Sequence, residues 1–426
     1  MHFEALEDWL HWQEKLHPKP IDLGLERVTG VYKSLNPKQL KPKTIIVAGT
    51  NGKGSCIAFL EAIYLAAGYR VGAYTSPHIL QYNERIKING QPVSDDLICE
   101  AFSRIESVRD NISLSYFEFG TLAALDIFWR SELDIQLLEV GLGGRLDAVN
   151  IIDADVAIVS TICIDHVDWL GETREAIGKE KAGIFRAGVP AVIGDMDPPS
   201  SLVQSAIEKS AVPYLFGKAF NYRKTTDGWA WYQNNEIKND HLPEPGLKGE
   251  QQYRNAATAL MAVSLLKDKI PVEVKSLERG LANTHLTGRF QLISGSPSVL
   301  LDVGHNPQAV NMLTECLEEN YPGKRIYAVF AMMKDKDIKG VIKIMEPYIY
   351  KWFVAPLEHS RIAERPRMES AFRQCQVENV SFEYNDFKEA FSAAQESAEQ
   401  TDMILVFGSF FLVSAYLSKK ENEKIN

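Results

Sequence analysis

The sequence contains few cysteines, and they lack the spacing that a disulfide framework or a thiolate metal site requires. Five cysteines are spread over 426 residues, and they lie at positions 56, 99, 163, 316 and 375. An odd number at such wide spacing is typical of reduced thiols in a cytosolic protein. We therefore expect neither disulfides nor a cysteine-ligated metal.

The chain also lacks an excess of positive charge and a long hydrophobic run. The formal net charge is −10, which argues against a general nucleic-acid binder because such proteins need many exposed Lys and Arg residues. No stretch approaches the roughly 20 apolar residues that span a bilayer, and the acidic residues 1–8 do not resemble a signal peptide. We expect a cytoplasmic protein without nucleic-acid or membrane partners, although a cleft with a few cations can still bind anionic small molecules.

The length and the pattern of hydrophobic residues predict two α/β domains. A chain of 426 residues exceeds one ordinary core, and apolar runs that alternate with helical segments are typical of a parallel sheet. We place the boundary near 284–288, between a domain at 1–286 and a domain at 287–426, and predict a hairpin plus loop over 221–249. The predicted strands are Thr44–Ala48, Val71–Tyr74, Ile135–Val140, Val156–Ile162, Val299–Val303, Ile326–Phe330, Trp352–Val354 and Ile404–Phe407.

A glycine-rich segment between a predicted strand and a predicted helix indicates a phosphate-binding loop. Its residues are Gly49, Thr50, Asn51, Gly52, Lys53, Gly54 and Ser55. In such a loop, backbone N–H groups and the helix N-terminus surround phosphate oxygens, while a lysine neutralises charge and a hydroxyl binds Mg²⁺. The spacing differs from GxxxxGK[ST], since Gly54 separates Lys53 from Ser55. A plain glycine-rich turn with a surface lysine is the alternative.

Three further residues are candidates for binding a metal ion near this loop. Ser76 follows a predicted strand, Glu139 lies within the apolar run 135–140, and His166 comes at the end of another predicted strand. A carboxylate in an apolar run is unfavourable unless it is paired or binds a metal. Considered alone, Glu139 could be an ion-pair partner and His166 a hydrogen-bonded structural histidine. Their shared position at strand ends favours a metal site.

These residues resemble the folylpolyglutamate synthase branch of the Mur ligase family. The resemblance implies an α/β fold with an N-terminal P-loop ATPase domain of the Mur ligase type and a smaller C-terminal Rossmann-like domain. It is closer still to the bifunctional bacterial members, on the evidence of residues 21–27 and 114–118. The matching segments, in chain order, are 49–55, 75–78, 84–86, 116–118, 139–147, 165–166, 180–184, 288–289, 302–307 and 407–409.

The resemblance implies roles for single residues. Ser76, Glu139 and His166, with Ser55, would hold two Mg²⁺ ions, and Lys53, Lys181 and His166 would act in catalysis. Lys181 matches a lysine that relatives carry as a carbamate; the alternative is an ion pair with Glu180 or Asp168. The implied ATP contacts are Asn51, Gly52, Lys53, Gly54, Ser55, Asn255, Arg289 and Asp302. A monovalent cation is compatible with the sequence, which carries no signal for it.

The resemblance also implies two substrate pockets. His305 and Ser409 would contact glutamate, while the segment 334–337 either resembles a family feature or is a solvated loop. The implied dihydropteroate and folate contacts are Asp22, Leu23, Gly24, Leu25, Ser115, Tyr116, Phe117, Glu118 and Leu146. For residues 22–25 alone, a plain turn before a helix is the alternative.

These expectations combine into an ATP-dependent ligase. A phosphate loop with Mg²⁺ suits attack of a carboxylate on the γ-phosphate, after which the glutamate amine attacks the acyl phosphate. The expected acceptors are dihydropteroate and reduced folates, and the expected enzyme is a monomer. The alternatives are a folylpolyglutamate synthase without dihydropteroate activity, a peptidoglycan-precursor ligase, a P-loop GTPase or kinase, and a non-catalytic nucleotide-binding module.

Overall fold

The computed structural model describes residues 3–35 and 42–425. They form two compact units, one made of the described residues up to Gly246 together with Tyr253–Thr284, the other of Leu247–Gln252 together with the described residues from His285 onward. Among the described residues, no helix is both long and apolar enough to cross a membrane.

Helices and strands alternate for most of the chain. The α-helices are α1 Leu6–Leu16, α2 Glu26–Ser34, α3 Lys53–Ala66, α4 Asp95–Val108, α5 Tyr116–Arg130, α6 Val167–Leu170, α7 Arg174–Lys181, α8 Ser200–Glu208, α9 Glu250–Leu266, α10 Val274–Ala282, α11 Pro307–Asn320, α12 Ile338–Met345, α13 Arg365–Gln374, α14 Phe387–Ser397 and α15 Phe410–Ile425. Short 3₁₀ helices cover Tyr82–Arg85, Ala148–Ile151, Ala182–Ile184 and Glu346–Tyr348.

The strands form three sheets. They are β1 Lys43–Ala48, β2 Val71–Tyr74, β3 Ile86–Ile88, β4 Gln91–Pro92, β5 Ile135–Glu139, β6 Val156–Val159, β7 Pro190–Ile193, β8 Val212–Leu215, β9 Phe220–Thr225, β10 Gly228–Gln233, β11 Glu236–Leu242, β12 Gln291–Ile293, β13 Ser298–Asp302, β14 Ile326–Phe330, β15 Lys351–Val354, β16 Val380–Ser381 and β17 Met403–Phe407.

The large sheet of the first unit is parallel except at one edge. Its order is β4-β3-β2-β5-β1-β6-β7-β8, and only β3 and β4 pair antiparallel. Helices flank a parallel sheet on both faces, so its central strands are buried on both sides instead of alternating, and every residue of β5 is buried. The register pairs Val47 with Glu139 and Tyr74 with Leu138. The carboxyl ends of β1, β2 and β5 therefore meet at one edge of the sheet.

The segment after this sheet is more ordered than a hairpin plus loop. Three strands, β9, β10 and β11, form an antiparallel sheet, so the predicted hairpin is one strand short. Aromatic side chains of β9 and β10 anchor this sheet, because Trp229 and Trp231 are buried and Tyr222 stacks on Tyr253 at 5.7 Å between ring centres. Because most residues of β11 are exposed and several are charged, the pattern of hydrophobic residues does not predict this strand.

The second unit contains a smaller sheet of the same kind. Its order is β12-β13-β17-β14-β15-β16, with only β12 antiparallel. The register pairs Asp302 with Phe407, and Phe330 with both Phe407 and Val354. The carboxyl ends of four adjacent strands thus meet at one edge. The predicted strands of both series are present, and the α/β fold class is confirmed.

Close packing of α10 on α3 yields a stability prediction. A Cβ added to Gly280 would lie 2.5 Å from the Ile63 Cα, which is backbone and cannot move aside. Gly280→Ala should therefore reduce the free energy of unfolding by about 1–3 kcal/mol, measured by urea denaturation. Gly30→Ala is the matched control, because its Cβ would lie an ordinary 3.6 Å from the Ile112 side chain and alanine favours the helix by up to about 1 kcal/mol. Equal effects of both substitutions would contradict this account.

Candidate active site

The phosphate loop is held by hydrogen bonds from the end of the neighbouring strand β6. The Thr50 N–H donates to the Thr161 carbonyl at 2.7 Å, and the Ser160 hydroxyl donates to the Asn51 carbonyl at 2.6 Å. Gly49 has φ +149°, and a Cβ there would lie 1.9 Å from the Ser160 Oγ. Only glycine fits at this position, so the loop approaches β6 as closely as its glycines allow.

The loop then opens helix α3. Gly52 is the N-cap, with φ +86°, and a Cβ on it would lie 2.8 Å from the Asn255 Oδ1. Lys53, Gly54 and Ser55 form the first turn, whose backbone N–H groups and dipole favour a bound anion. The Lys53 Nζ donates to the carbonyls of Gly49 at 3.1 Å and Thr50 at 3.3 Å. The structure thus brings all the predicted ATP contacts of the first unit together.

Lys181, at the end of α7, lies on the same loop. Its Nζ donates to the Gly49 carbonyl at 2.9 Å, and the residue is 4% exposed. Burial, assisted by the charge of Lys53, lowers the pKa of the Lys181 ammonium to about 7. Glu180, one of the two alternative partners, instead forms a two-nitrogen ion pair with Arg145 at 2.9 and 3.0 Å. A neutral amine is therefore accessible to Lys181 near physiological pH.

Ser76 and Glu139 lie side by side at the ends of β2 and β5. The Ser76 N–H donates to the Glu139 Oε2 at 3.1 Å, and Glu139 is 4% exposed. Ser55, in the first turn of α3, is also buried. The donors present are therefore hydroxyl and carboxylate oxygens, which Mg²⁺ prefers, and Mg²⁺ commonly takes its remaining ligands from substrate phosphates and water. These residues fit a magnesium ion that binds together with a nucleotide.

His166 occupies a different position from the one predicted. Strand β6 ends at Val159 instead of Ile162, because Ser160 and Thr161 bond to the phosphate loop, so His166 does not directly follow a strand. It is the N-cap of α6, with φ +52°, and its N–H donates to the Asp165 Oδ1 at 2.8 Å. Within residues 3–35 and 42–425, no three His, Cys, Asp or Glu side chains are grouped as metal ligands. Its role as a metal ligand stays a prediction.

The two segments expected to bind the acceptor lie close together. The Arg27 Nη1 donates to the Asp22 Oδ2 at 2.7 Å, and its Nη2 donates to the Glu118 Oε1 at 3.1 Å. Glu118 and Ser115 form a capping box at the start of α5, in which the Glu118 Oε2 accepts from the Ser115 N–H at 2.7 Å. The hydrogen bond from His17 lowers the pKa of Asp22. The segment 22–25 is thus bonded to the start of α5, which a plain turn does not explain.

The remaining residues of this region are partly exposed. Leu23, Gly24, Leu25, Tyr116, Phe117 and Leu146 are all of intermediate exposure. A Cβ on Gly141 would lie 2.5 Å from the Phe117 Cζ, so the loop 141–147 packs on α5. Asp147 holds that loop by accepting from the N–H groups of Leu142 at 2.8 Å and Val149 at 3.0 Å. Burial raises the pKa of Asp147 to about 6.

In the second unit, the predicted residues gather at the carboxyl edge of its sheet. Asp302 accepts from the N–H groups of Gly304 at 2.7 Å and Phe290 at 3.2 Å, and burial raises its pKa. The Arg289 guanidinium lies 5.8 Å from the Phe410 ring centre, and the His305 ring lies 6.1 Å from the same ring. Ser409 is buried, and its Oγ accepts from the Phe411 N–H at 3.2 Å.

The segment 334–337 is only partly a solvated loop. Lys334, Asp335 and Asp337 are exposed, whereas Lys336 is 8% exposed. Asp335 forms an ion pair with Arg361 at 3.4 Å, and Asp337 caps α12 by accepting from the Gly340 N–H at 2.9 Å. Its two acidic residues therefore have structural partners.

Comparison with known proteins identifies the family. Residues 47–263 match the Mur ligase middle domain, and residues 288–410 match the Mur ligase, glutamate ligase domain. The chain belongs to the Mur ligase family. The expected family resemblance and an ATP-dependent ligase are confirmed by these matches and by the relatives that follow.

Several members of this family are similar over nearly their whole length. The dihydrofolate synthase/folylpolyglutamate synthase of Escherichia coli strain K12 is 42% identical over 409 residues, which cover 96% of this chain and 94% of that protein. E. coli FolC, solved in complex with DHPP and ADP, is 41% identical with a TM-score of 0.92 and covers 99% of both chains. A bifunctional folylpolyglutamate synthase/dihydrofolate synthase solved with Mn, AMPPNP and L-glutamate is 41% identical with a TM-score of 0.89, and covers 98% of both chains.

Three residues of this Mur ligase family member, two of them in segments that carry the resemblance, have no individual role in the sequence-based prediction. Arg85 donates from its Nε to the His78 Nδ1 at 2.8 Å, and burial, followed by the charge of Arg85, lowers the pKa of His78 to about 4. Asp195, at the end of β7, accepts from the Ile162 N–H at 2.6 Å. His78 and Asp195 each follow a strand within a few residues, which is a signal that the sequence offers, whereas Arg85 ends a short 3₁₀ helix before β3.

Asp195 supports the phosphate loop indirectly, through residues that contact the loop, and this supporting role can be tested by substitution. It is 6% exposed and fixes the stretch 160–163 that bonds to the loop. Asp195→Ala should leave the Ile162 N–H unpaired and weaken ADP binding about tenfold, measured by isothermal titration calorimetry. Asp197→Ala is the control, because Asp197 also pairs with Arg174 but its side chain is 91% exposed and such pairs contribute little. Unchanged ADP affinity in the Asp195 variant would refute the supporting role.

Proposed function

We propose that this Mur ligase family member uses ATP to join the amino group of L-glutamate to a folate-type carboxylate. The acceptors are dihydropteroate, which gives dihydrofolate, and tetrahydrofolate-type mono- and polyglutamates. The proposal rests chiefly on a phosphate loop, with Lys53 and Lys181 on one carbonyl, in a chain whose full-length relatives are named for both activities. One relative was solved with DHPP and ADP and another with L-glutamate and AMPPNP.

The phosphate loop would hold the β- and γ-phosphates of ATP. Lys53 then exchanges its carbonyl partners for phosphate oxygens and neutralises the charge that develops during transfer. The backbone N–H groups at the start of α3 fix the orientation of the chain of phosphates, and Asn255 borders the loop at Gly52. We assign Arg289 to the phosphate end of the nucleotide and Asp302 to its nucleoside end. In the same proposal, residues 1–286 bind ATP and the acceptor, and residues 287–426 contribute further nucleotide contacts and the glutamate contacts.

Glu139, Ser76 and Ser55, with His166, would hold two magnesium ions. The ions polarise the γ-phosphate and neutralise negative charge between the nucleotide and the acceptor carboxylate. Glu139 is already oriented by the Ser76 N–H, so little of the protein has to reorganise. The positive charge of the ions would also compensate the cost of burying the Glu139 carboxylate.

Lys181 would carry a carbamate in the active enzyme. A neutral amine adds to CO₂, with formation of an N–C bond and release of one proton, and the product presents two oxygens in place of a cation. The observation that supports this is the buried Nζ beside Lys53, since two ammonium groups on one carbonyl repel each other. A carbamate would attract Lys53 instead and supply oxygen donors suited to Mg²⁺.

The reaction itself consists of two displacements. A carboxylate oxygen of the acceptor bonds to the γ-phosphorus, the bond to the β–γ bridging oxygen breaks, and ADP leaves. The glutamate nitrogen then bonds to the acyl carbon, the C–O bond to phosphate breaks, and the nitrogen releases a proton. The protein supplies positioning and charge stabilisation in both steps, and His305 and Ser409 are assigned to the incoming glutamate.

A folylpolyglutamate synthase without dihydropteroate activity is the second candidate. The bonded segments 22–25 and 115–118 favour the bifunctional enzyme, because they match the segments that the resemblance assigns to dihydropteroate. The decisive assay follows acceptor-dependent ADP release with ATP, Mg²⁺ and glutamate, in parallel for dihydropteroate and tetrahydrofolate. Turnover with both acceptors is expected. Turnover with tetrahydrofolate alone would favour the second candidate. No ADP release with either acceptor would exclude folates as the substrates. We further propose that the enzyme acts as a cytoplasmic monomer.

Removal of the loop lysine tests the shared site. Lys53→Ala should abolish ADP formation with dihydropteroate and with tetrahydrofolate alike, because both reactions use the same phosphate contacts. Lys179→Ala, which removes an exposed lysine from α7, should keep both activities. A Lys53 variant that loses one acceptor and keeps the other would contradict a common site.

The carbamate gives a prediction that is independent of turnover. Enzyme equilibrated with ¹³C-bicarbonate should show a ¹³C NMR carbamate resonance near neutral pH, and the resonance should disappear in Lys181→Ala. Lys179→Ala serves as the control for adventitious modification of an exposed lysine. Identical spectra for the wild type and the Lys181 variant would exclude the modification.

A further inference from the structure

The connection between α1 and α2 contains a histidine that bonds to the proposed acceptor region from both sides of its ring. The His17 Nε2 lies 3.1 Å from the Asp22 Oδ2, and its Nδ1 lies 2.9 Å from the Ser113 Oγ. The His17 side chain is only 8% exposed, although it lies in a loop. Both ring nitrogens are thus committed to partners.

The chemistry of these partners fixes the proton on one nitrogen. An ionised carboxylate only accepts hydrogen bonds, so the Nε2 must carry a proton and donate it to Asp22. The Ser113 hydroxyl can donate to the Nδ1 or accept from it, because a hydroxyl has both capacities. His17 therefore joins Ser113 to Asp22 with a fixed ring orientation, in which Asp22 is the acceptor.

The network connects the two acceptor segments twice. Through His17, Asp22 is joined to Ser113, which lies two residues before the capping residue Ser115. Through Arg27, Asp22 is joined to Glu118, and the Arg27 Nη2 also donates to the Asp22 carbonyl at 2.7 Å. One carboxylate oxygen, Asp22 Oδ2, accepts from both His17 and Arg27. Two side chains, His17 and Arg27, therefore fix the orientation of the Asp22 carboxylate.

Secondary structure does not fix this region. Residues 17–25 contain neither helix nor strand, and the same holds for residues 109–115 before α5. Side-chain hydrogen bonds connect the two segments directly, and the longest of these bonds in sequence join His17 to Ser113 across 96 residues and Arg27 to Glu118 across 91 residues. Hydrogen bonds to charged groups of this kind contribute more than neutral ones.

We propose that His17 is a positioning residue for the acceptor, which holds Asp22 and the segment 22–25 in the conformation that binds dihydropteroate. This inference rests on the proposed function. It assigns no contact between His17 and the reacting atoms, so its loss should weaken acceptor binding and leave the phosphate chemistry intact.

The test compares three variants for acceptor and nucleotide separately. His17→Ala should raise the KM for dihydropteroate about tenfold, the equivalent of one hydrogen bond to a charged group, with kcat and the KM for ATP within about twofold. His17→Gln, whose amide can donate to Asp22, should recover most of the affinity. His11→Gln removes an exposed histidine from the preceding helix α1 and should behave as the wild type.

Direct titration with dihydropteroate in the presence of ADP separates this inference from the proposed function. A wild type that binds dihydropteroate without turnover would refute the ligase reaction, and a weaker Kd in His17→Ala would still support positioning. Equal Kd values for His17→Ala and the wild type would overturn the inference. So would a parallel loss of ADP affinity and thermal stability in both His17 variants, which a merely structural role predicts. A wild type that does not bind dihydropteroate would overturn both proposals.

Discussion

The carbonyl oxygen of Gly49 accepts hydrogen bonds from two lysine ammonium groups, and the chemistry of the site depends on this arrangement. The Lys53 Nζ lies 3.1 Å from it and the Lys181 Nζ lies 2.9 Å from it. Two cations on one neutral acceptor repel each other, and the burial of Lys181 increases the repulsion. An anion between them removes that repulsion. The loop is therefore arranged for a negative ligand even though the protein as a whole carries a net charge of −10.

The loop cannot hold this arrangement by itself. Its glycines adopt φ values that other residues avoid, at Gly49 and Gly52, and such backbone is defined only by its neighbours. The end of β6 supplies those neighbours through Ser160 and Thr161, and Asp195 at the end of β7 fixes that stretch in turn. The position of two lysines thus depends on the edge of the sheet across β1, β6 and β7.

The sequence predicts the parts of this site that are local. A strand, a glycine-rich loop and a helix follow one another directly, so the phosphate loop can be predicted from one short stretch of sequence. The strand that ends at Glu139 can likewise be predicted from the apolar run that surrounds this residue. Three other features cannot be predicted in this way: the end of β6, the third strand at 236–242 and the hydrogen bonds of His17. Each depends on residues distant in sequence, as with His17 and Ser113, or on aromatic packing beneath a polar surface, as with Trp229 and Tyr253.

The number of metal donors has a consequence for the order of binding. Among the residues proposed to hold magnesium, Glu139 is the one carboxylate, with the Ser76 N–H on one of its oxygens, and until Lys181 carries its proposed carbamate the other oxygen donors of this set are hydroxyls. Mg²⁺ keeps water unless anionic oxygens replace it, so this protein surface alone binds it weakly. In the proposed reaction, the phosphates of ATP would supply further anionic oxygens. Nucleotide and metal would therefore stabilise each other in the proposed site, and the acceptor carboxylate would meet a positive field once both are bound.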